Sequence, residues 1–144
     1  MSASACGICE KHKNLSAFTG PVIAQREGWL LTHFPFLKEE KSSPGHLVLE
    51  TRRHVTDFSE LTPEELGQLG PLIAFGIERV KKVLSAEHVY VFRINDKAPH
   101  LHLHLIPRFK ETPSEYFGLK ILQWPERPAL TLEQVKETAQ RLRE

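Results

Sequence analysis

Three histidines stand at alternate positions in the run His100-Leu-His-Leu-His-Leu-Ile106. Successive side chains of a β-strand point to opposite faces, so His100, His102 and His104 are expected on one face and Leu101, Leu103 and Leu105 on the other. Three imidazoles in register, backed by an apolar face, are hard to explain as packing. Two kinds of chemistry account for them. Neutral imidazole is a good zinc ligand, and histidine titrates near neutrality, which suits a nucleophile or an acid–base group. Same-face neighbours on a strand lie about 6.5–7 Å apart, so the three need not grip one ion. A division of labour fits better. His102, in the middle, sits where flanking groups can orient it, and a hydrogen bond to one ring nitrogen leaves the other free to attack. The second pattern is Cys6-x-x-Cys9. Alone it is compatible with incidental thiols or with half of a zinc site, for which His12 offers only a cramped local third ligand. A thioredoxin-like reading needs a preceding strand and a following helix, and neither is evident this near the terminus.

The elements that must position these residues follow from periodicity and punctuation. Gly20 to Gln25 and Trp29 to Phe34 read as two strands across a turn at Glu27-Gly28, and Gly45 to Thr51 as a third. Phe36 to Pro44, with its charge run Lys38 to Lys41, reads as a surface loop. A long helix is expected from Pro63 to Leu84. Thr62 and Glu65 form a capping box, and Leu66, Leu69, Ile73, Ile77, Val80 and Leu84 form the buried stripe. Gly67, Gly70 and Gly76 lower its propensity and either allow close approach to a sheet or lie exposed. His88 to Ile94 and His100 to Ile106 read as a hairpin around Asn95-Asp96-Lys97-Ala98-Pro99 that packs its Leu face on the helix. Glu111 to Pro128 reads as an irregular packed segment, and Thr131 to Arg143 as a short helix with Gln134 closing a second capping box. The sum is an α+β fold: about five mostly antiparallel strands, one long helix and a short C-terminal helix. No linker divides it, so residues 1–144 are expected as a single domain, with a core over 6–108 and a C-terminal extension over 109–144.

With 144 residues, 40% hydrophobic and 26% charged, the chain has enough apolar side chains for one core. The formal net charge of +1 supplies no field that would draw it onto nucleic acid or a membrane. No run approaches the length of a membrane span, and Met1 to Leu15 lacks the apolar core of a signal peptide. A cytoplasmic protein is expected, with Cys6 and Cys9 reduced. No G-x-x-x-x-G-K-[ST] run points to a P-loop ATPase. Arg52 and Arg53 read as a solvated strand end and Arg108 as an anchor for a carboxylate or a partner. His12 and His88 read as surface residues.

The stretch His100-Leu-His-Leu-His-Leu-Ile-Pro-Arg108 resembles the signature of the histidine triad family of nucleotide hydrolases and transferases, here in its zinc-containing subgroup. Pro44-Gly-His-Leu-Val-Leu49, Arg52-Arg-His-Val55 and Phe58 through Leu61 precede the long helix in the family's order. The resemblance covers about Cys6 to Arg108. It implies a homodimeric α+β domain that cleaves a phosphoanhydride or phosphoramidate at the α-phosphate of a nucleotide, such as a purine nucleotide or a dinucleoside polyphosphate. It makes His102 the nucleophile of a nucleotidyl-histidine intermediate. His104 would contact phosphate oxygens or a flanking backbone group, and His46 would hydrogen-bond near the nucleophile and orient it. His33 falls near the position that contacts the ribose. Asp96 and Lys97 stand where the family has Gln and Ser or Thr contacting phosphate or leaving group. A carboxylate there would repel phosphate unless Lys97 offset it, or Asp96 caps the turn. The resemblance also implies a structural zinc site of Cys6, Cys9, His54 and His100, a sound tetrahedral set. From its composition and position, the C-terminal extension, with Trp124, is expected to serve the dimer interface or to reach toward the partner's pocket. Two other readings stay open: a non-catalytic nucleotide-binding protein, and a structural zinc protein.

Overall fold

The computed structural model describes residues 5–17, 20–94 and 96–143. Five strands form one sheet in the spatial order β1-β2-β3-β5-β4: β1 Val22–Gln25, β2 Trp29–His33, β3 Leu47–Thr51, β4 His88–Phe92 and β5 His102–Arg108. Each neighbouring pair is antiparallel. Helix α2 (Pro63–Leu84) covers one face, and α3 (Leu132–Leu142) packs beside α2 and β1. A seven-residue helix α1 (Gly7–Lys13), which the sequence did not suggest, lies over the other face. This is the α+β architecture expected, with the β4–β5 hairpin as foreseen. Among the described residues no helix is long and apolar enough to cross a membrane.

The registers assign each strand's alternation to a face. Leu31 pairs with Leu49, Leu49 with Leu103 and Leu47 with Leu105, and these side chains form the buried core under α2. Burying them supplies most of the favourable folding free energy, roughly 1.5–3 kcal/mol for each large side chain. The capping box at Thr62 and Glu65 starts α2, and Ser85, at φ 62°, stops it in the left-handed region. The Trp29 indole N–H donates to the Glu65 carbonyl at 2.8 Å and ties β2 to the first turn.

The buried stripe of α2 is rotated from the expected one. Leu72 is fully buried together with Val80, whereas Leu66 is 48% exposed. Leu69, Ile73, Ile77 and Leu84 pack partly buried at its flanks. The reason is Gly76, which lets the helix approach the sheet on that side: a Cβ there would stand 3.0 Å from Leu105 Cδ2. Gly67 and Gly70 face open space.

The segment after Arg108 is irregular as expected. Short 3₁₀ turns span Ser114–Tyr116 and Gly118–Gln123, with Ile121 buried. Thr131 and Gln134 make the second capping box, and Val135, Ala139 and Leu142 bury one side of α3. Arg79 caps that helix, donating to the carbonyls of Leu142 at 3.2 Å and Arg141 at 2.7 Å.

The two kinds of glycine in α2 separate on substitution. Gly67→Ala is expected to stabilise the protein by roughly 0.5–1 kcal/mol. Gly76→Leu is expected to cost about 1–3 kcal/mol through overpacking against Leu105. Urea unfolding of the two variants measures both.

Candidate active site

The sheet face away from α2 carries a groove of about 540 Å³. Its floor is Val48 and Glu50 of β3 with His104 and His102 of β5, paired Val48 to His104 and Glu50 to His102. Ile8 and Lys11 of α1 form one wall, and Phe34 and Pro35 close the far side.

The histidines are held in defined tautomers. His102 Nδ1–H donates to the His100 carbonyl at 2.7 Å, which leaves Nε2 with a lone pair. His46 Nε2 lies 2.9 Å from His104 Nδ1, and the His46 ring stacks on Phe34 at 4.3 Å between centroids. Burial, with His104 nearby, holds His46 well below the usual histidine range. Burial, with His102 adding to it, brings His104 down to about 4. Both rings are therefore neutral at pH 7, and one N–H joins them. His46 Nδ1 is buried without a partner. A buried acceptor without a partner is better tolerated than a buried N–H, so His46 Nε2 donates and His104 Nε2–H is left as a donor. His46 thus holds His104 rather than the expected His102.

His100 does not share the strand face as expected, because β5 begins only at His102. Its ring turns into a cluster with Cys6, Cys9 and His54, whose four ligand atoms all lie within 4.8 Å of one another. His100 Nδ1 is 3.4 Å from Cys6 Sγ and 3.5 Å from Cys9 Sγ, and His54 Nδ1 is 3.3 Å from Cys9 Sγ. A tetrahedral ion with Zn–S of about 2.3 Å and Zn–N of about 2.0–2.1 Å places sulfur and nitrogen about 3.5 Å apart. The cluster therefore fits such an ion. His100 Nε2–H donates to the Thr51 carbonyl at 2.7 Å, which aims the Nδ1 lone pair at the sulfurs. Burial and the neighbouring Cys6 push the Cys9 thiol up. A cation among the sulfurs would reverse that preference. Cys6 also caps α1, its sulfur accepting from the Cys9 N–H at 3.4 Å, so one residue links the helix to the cluster.

Glu50 is the site residue that sequence reasoning missed. It is fully buried, and its Oε1 takes Lys11 Nζ and His12 Nε2, the latter at 3.2 Å. Burial alone would raise its carboxyl. The His12 hydrogen bond and the Lys11 charge outweigh burial and hold it below the ordinary value. His12, expected at the surface, is thus partly buried in this cluster. The available signal was a carboxylate inside an apolar strand, on the same alternation as His46 and Val48.

His33 is a correction. It pairs with Leu47, so the pleat turns it to the core face, and it is fully buried away from the groove. Its Nε2 accepts the Gly45 N–H at 3.1 Å and its Nδ1–H donates to the Phe34 carbonyl at 2.9 Å, leaving nothing for a ribose. Gly45, at φ +74°, makes the turn that this bond secures. Asp96 and Lys97 are exposed on the hairpin turn and neither lines the groove, while Asn95 lies outside the described residues. Arg52 and Arg53 bond to Gln25, Arg26, Glu60 and Glu65, which is a structural role. Arg108 bonds to the Tyr90 hydroxyl at 3.1 Å and lies 4.0 Å over Phe117.

A family model for the HIT domain matches residues 32–111. The chain belongs to the histidine triad (HIT) family. This HIT protein is 28% identical over 106 residues to adenosine 5′-monophosphoramidase of Schizosaccharomyces pombe, covering 70% of this chain and 72% of that protein. It is 32% identical over 77 residues to the asymmetrical bis(5′-nucleosyl)-tetraphosphatase of the same yeast, covering 50% of this chain and 42% of that one. A zinc-bound histidine triad protein of Mycobacterium smegmatis shares its fold with a TM-score of 0.67 at 16% identity, over 98% of this chain and 95% of that one.

The state of His33 makes stability pH-dependent. Burial lowers its pKa from 6.5 to about 4. The unfolded chain takes up this proton below about pH 6.5 and the folded one resists until about pH 4, so its contribution is complete above 6.5 and lost as pH falls through that window. The loss amounts to about 3 kcal/mol. Urea unfolding between pH 7 and pH 4.5 is expected to show a flatter dependence in His33→Gln than in the wild type.

Proposed function

We propose that this HIT protein cleaves a phosphoanhydride or phosphoramidate bond at the α-phosphate of a nucleotide through a nucleotidyl intermediate on His102. One observation carries the reading. The His100 carbonyl holds the Nδ1 proton of His102, leaving Nε2 as a lone-pair nitrogen in the floor of a groove. The activities named for the two yeast relatives support the reaction class. In the first step Nε2 attacks phosphorus and the leaving group departs with the bonding pair. Water then attacks and releases the nucleoside monophosphate. His104 Nε2–H donates to a phosphate oxygen, positioned by His46. This is catalysis by placement and charge stabilisation. The apolar surfaces of Ile8, Val48 and Phe34 suit a nucleobase, and purine nucleotides or dinucleoside polyphosphates are the substrates proposed.

Zinc is the metal proposed for Cys6, Cys9, His54 and His100, where it would supply a structural clamp. The proposed assembly is a homodimer. The open edge of β4, with Val91 and Ile94 exposed, offers a surface for it.

His102→Ala is expected to lower release of AMP from adenosine phosphoramidate or a dinucleoside polyphosphate by on the order of 10³-fold or more, with folding and zinc content unchanged. Equal rates in variant and wild type would instead mark a non-catalytic nucleotide-binding protein. Zinc loss from this variant would mark a zinc protein whose histidines serve the metal. Elemental analysis is expected to find one zinc per chain in the wild type and none in Cys9→Ser, which should also lose several kcal/mol of stability.

A further inference from the structure

The buried carboxylate of Glu50 has no part in the scheme above, and its position is costly. An ionised group in a strand core is tolerated only with partners. Glu50 spends one oxygen on Lys11 and His12 and keeps Oε2 buried with no partner. An apolar side chain, such as the Val48 two positions earlier on the same face, would avoid that cost. The cross-strand register names what the charge stands beside. Glu50 is directly opposite His102, on the same face and in the same groove floor. Side chains so paired have Cβ atoms about 4.5–5.5 Å apart.

The chemistry proposed for His102 creates a charge at that place. When Nε2 supplies the electron pair of the new nitrogen–phosphorus bond, Nδ1 keeps the proton it donates to the His100 carbonyl. Both ring nitrogens are then substituted, and the ring carries a full positive charge until water releases it. The His100 carbonyl offers only a partial negative charge against this. We propose that Glu50 is a positioning residue whose carboxylate stabilises the cationic ring of nucleotidyl-His102 across the β3–β5 pair. The inference rests on the nucleotidyl-histidine reading. Atoms balance without Glu50 reacting. The bond from the α-phosphorus to the leaving group breaks, and that group keeps the pair and takes a proton from solvent. Water then attacks phosphorus, the nitrogen–phosphorus pair returns to Nε2, and the surplus proton passes to solvent. Lys11 and His12 keep the carboxylate ionised and in place while the groove is filled. α1, which carries them, also carries Cys9 and is capped by Cys6, the two cysteines of the Cys/His cluster.

The test is rapid-quench mass spectrometry of His102 nucleotidylation by saturating adenosine phosphoramidate, using zinc-loaded protein. Glu50→Gln keeps the shape and removes the charge. Glu50→Asp keeps the charge and withdraws it by one methylene. The adduct is expected to form about 10–100-fold more slowly in E50Q, with a clearly smaller loss in E50D. KM and zinc content should be unchanged in both. A residue that only docks α1 predicts the reverse order, because Gln is the better fit. Wild-type rates in E50Q, an E50D as slow as E50Q, or an effect confined to KM would each overturn the proposal. If E50Q does not fold, E50D decides alone: a severalfold slower adduct at unchanged KM supports the role, and a wild-type rate overturns it. Absence of an adduct in the wild type sinks the nucleotidyl-histidine reading itself, which this arm reports separately.

Discussion

His100 is held at both ends of its ring and at its backbone. One ring nitrogen is committed to the Thr51 carbonyl and the other faces two sulfurs, so the ring cannot turn. Its carbonyl then takes the Nδ1 proton of His102 and settles which nitrogen of that ring is free. Neighbouring backbone is fixed on both sides, with Leu101 N–H donating to the Val55 carbonyl at 2.7 Å and Thr51 N–H to the Leu101 carbonyl at 3.2 Å. The tautomer of His102 therefore depends on a residue whose side chain belongs to a different site. The Cys/His cluster and the groove are two ends of one rigid segment.

The sheet keeps incompatible chemistries apart by its pleat. On the α2 side, leucines from β2, β3 and β5 interdigitate, and Gly76 lets the helix close on them. On the other side, β3 presents Val48 and Glu50, and β5 presents His102 and His104, to a groove walled on one side by α1. Each strand needs both roles, which is why β3 is buried along its whole length while carrying a carboxylate. Burial also keeps His46 and His104 neutral, so the groove holds lone pairs and N–H donors rather than a cluster of mutually repelling cations.

Much of this was legible. The capping boxes at Thr62 and Thr131 were readable because a cap is a local event, complete within four residues. The triad and the Cys-x-x-Cys were readable because their spacing is short, and family resemblance joined them to His54 across the chain. Less visible was the rotation of the α2 stripe, since the choice between Leu66 and Leu72 depends on which side Gly76 lets approach the sheet. α1 was not seen at all. Seven residues are too few to carry helical periodicity, and this helix is held by Cys6 and by the pull of Glu50 on Lys11 and His12.

The amino-acid order alone established the α+β class, the long helix, the hairpin bearing the histidines and the residue types able to do phosphoryl chemistry. Folding decided what each of those residues faces. An alternation of period two says that two residues of one strand share a face, but not which face, since that is settled by the register with a neighbouring strand. This is why His33 proved to be a core residue and Glu50 a neighbour of His102. Contacts between segments distant in the chain likewise come only with folding: His46 holds His104, and cysteines near the start of the chain meet a histidine more than ninety positions later.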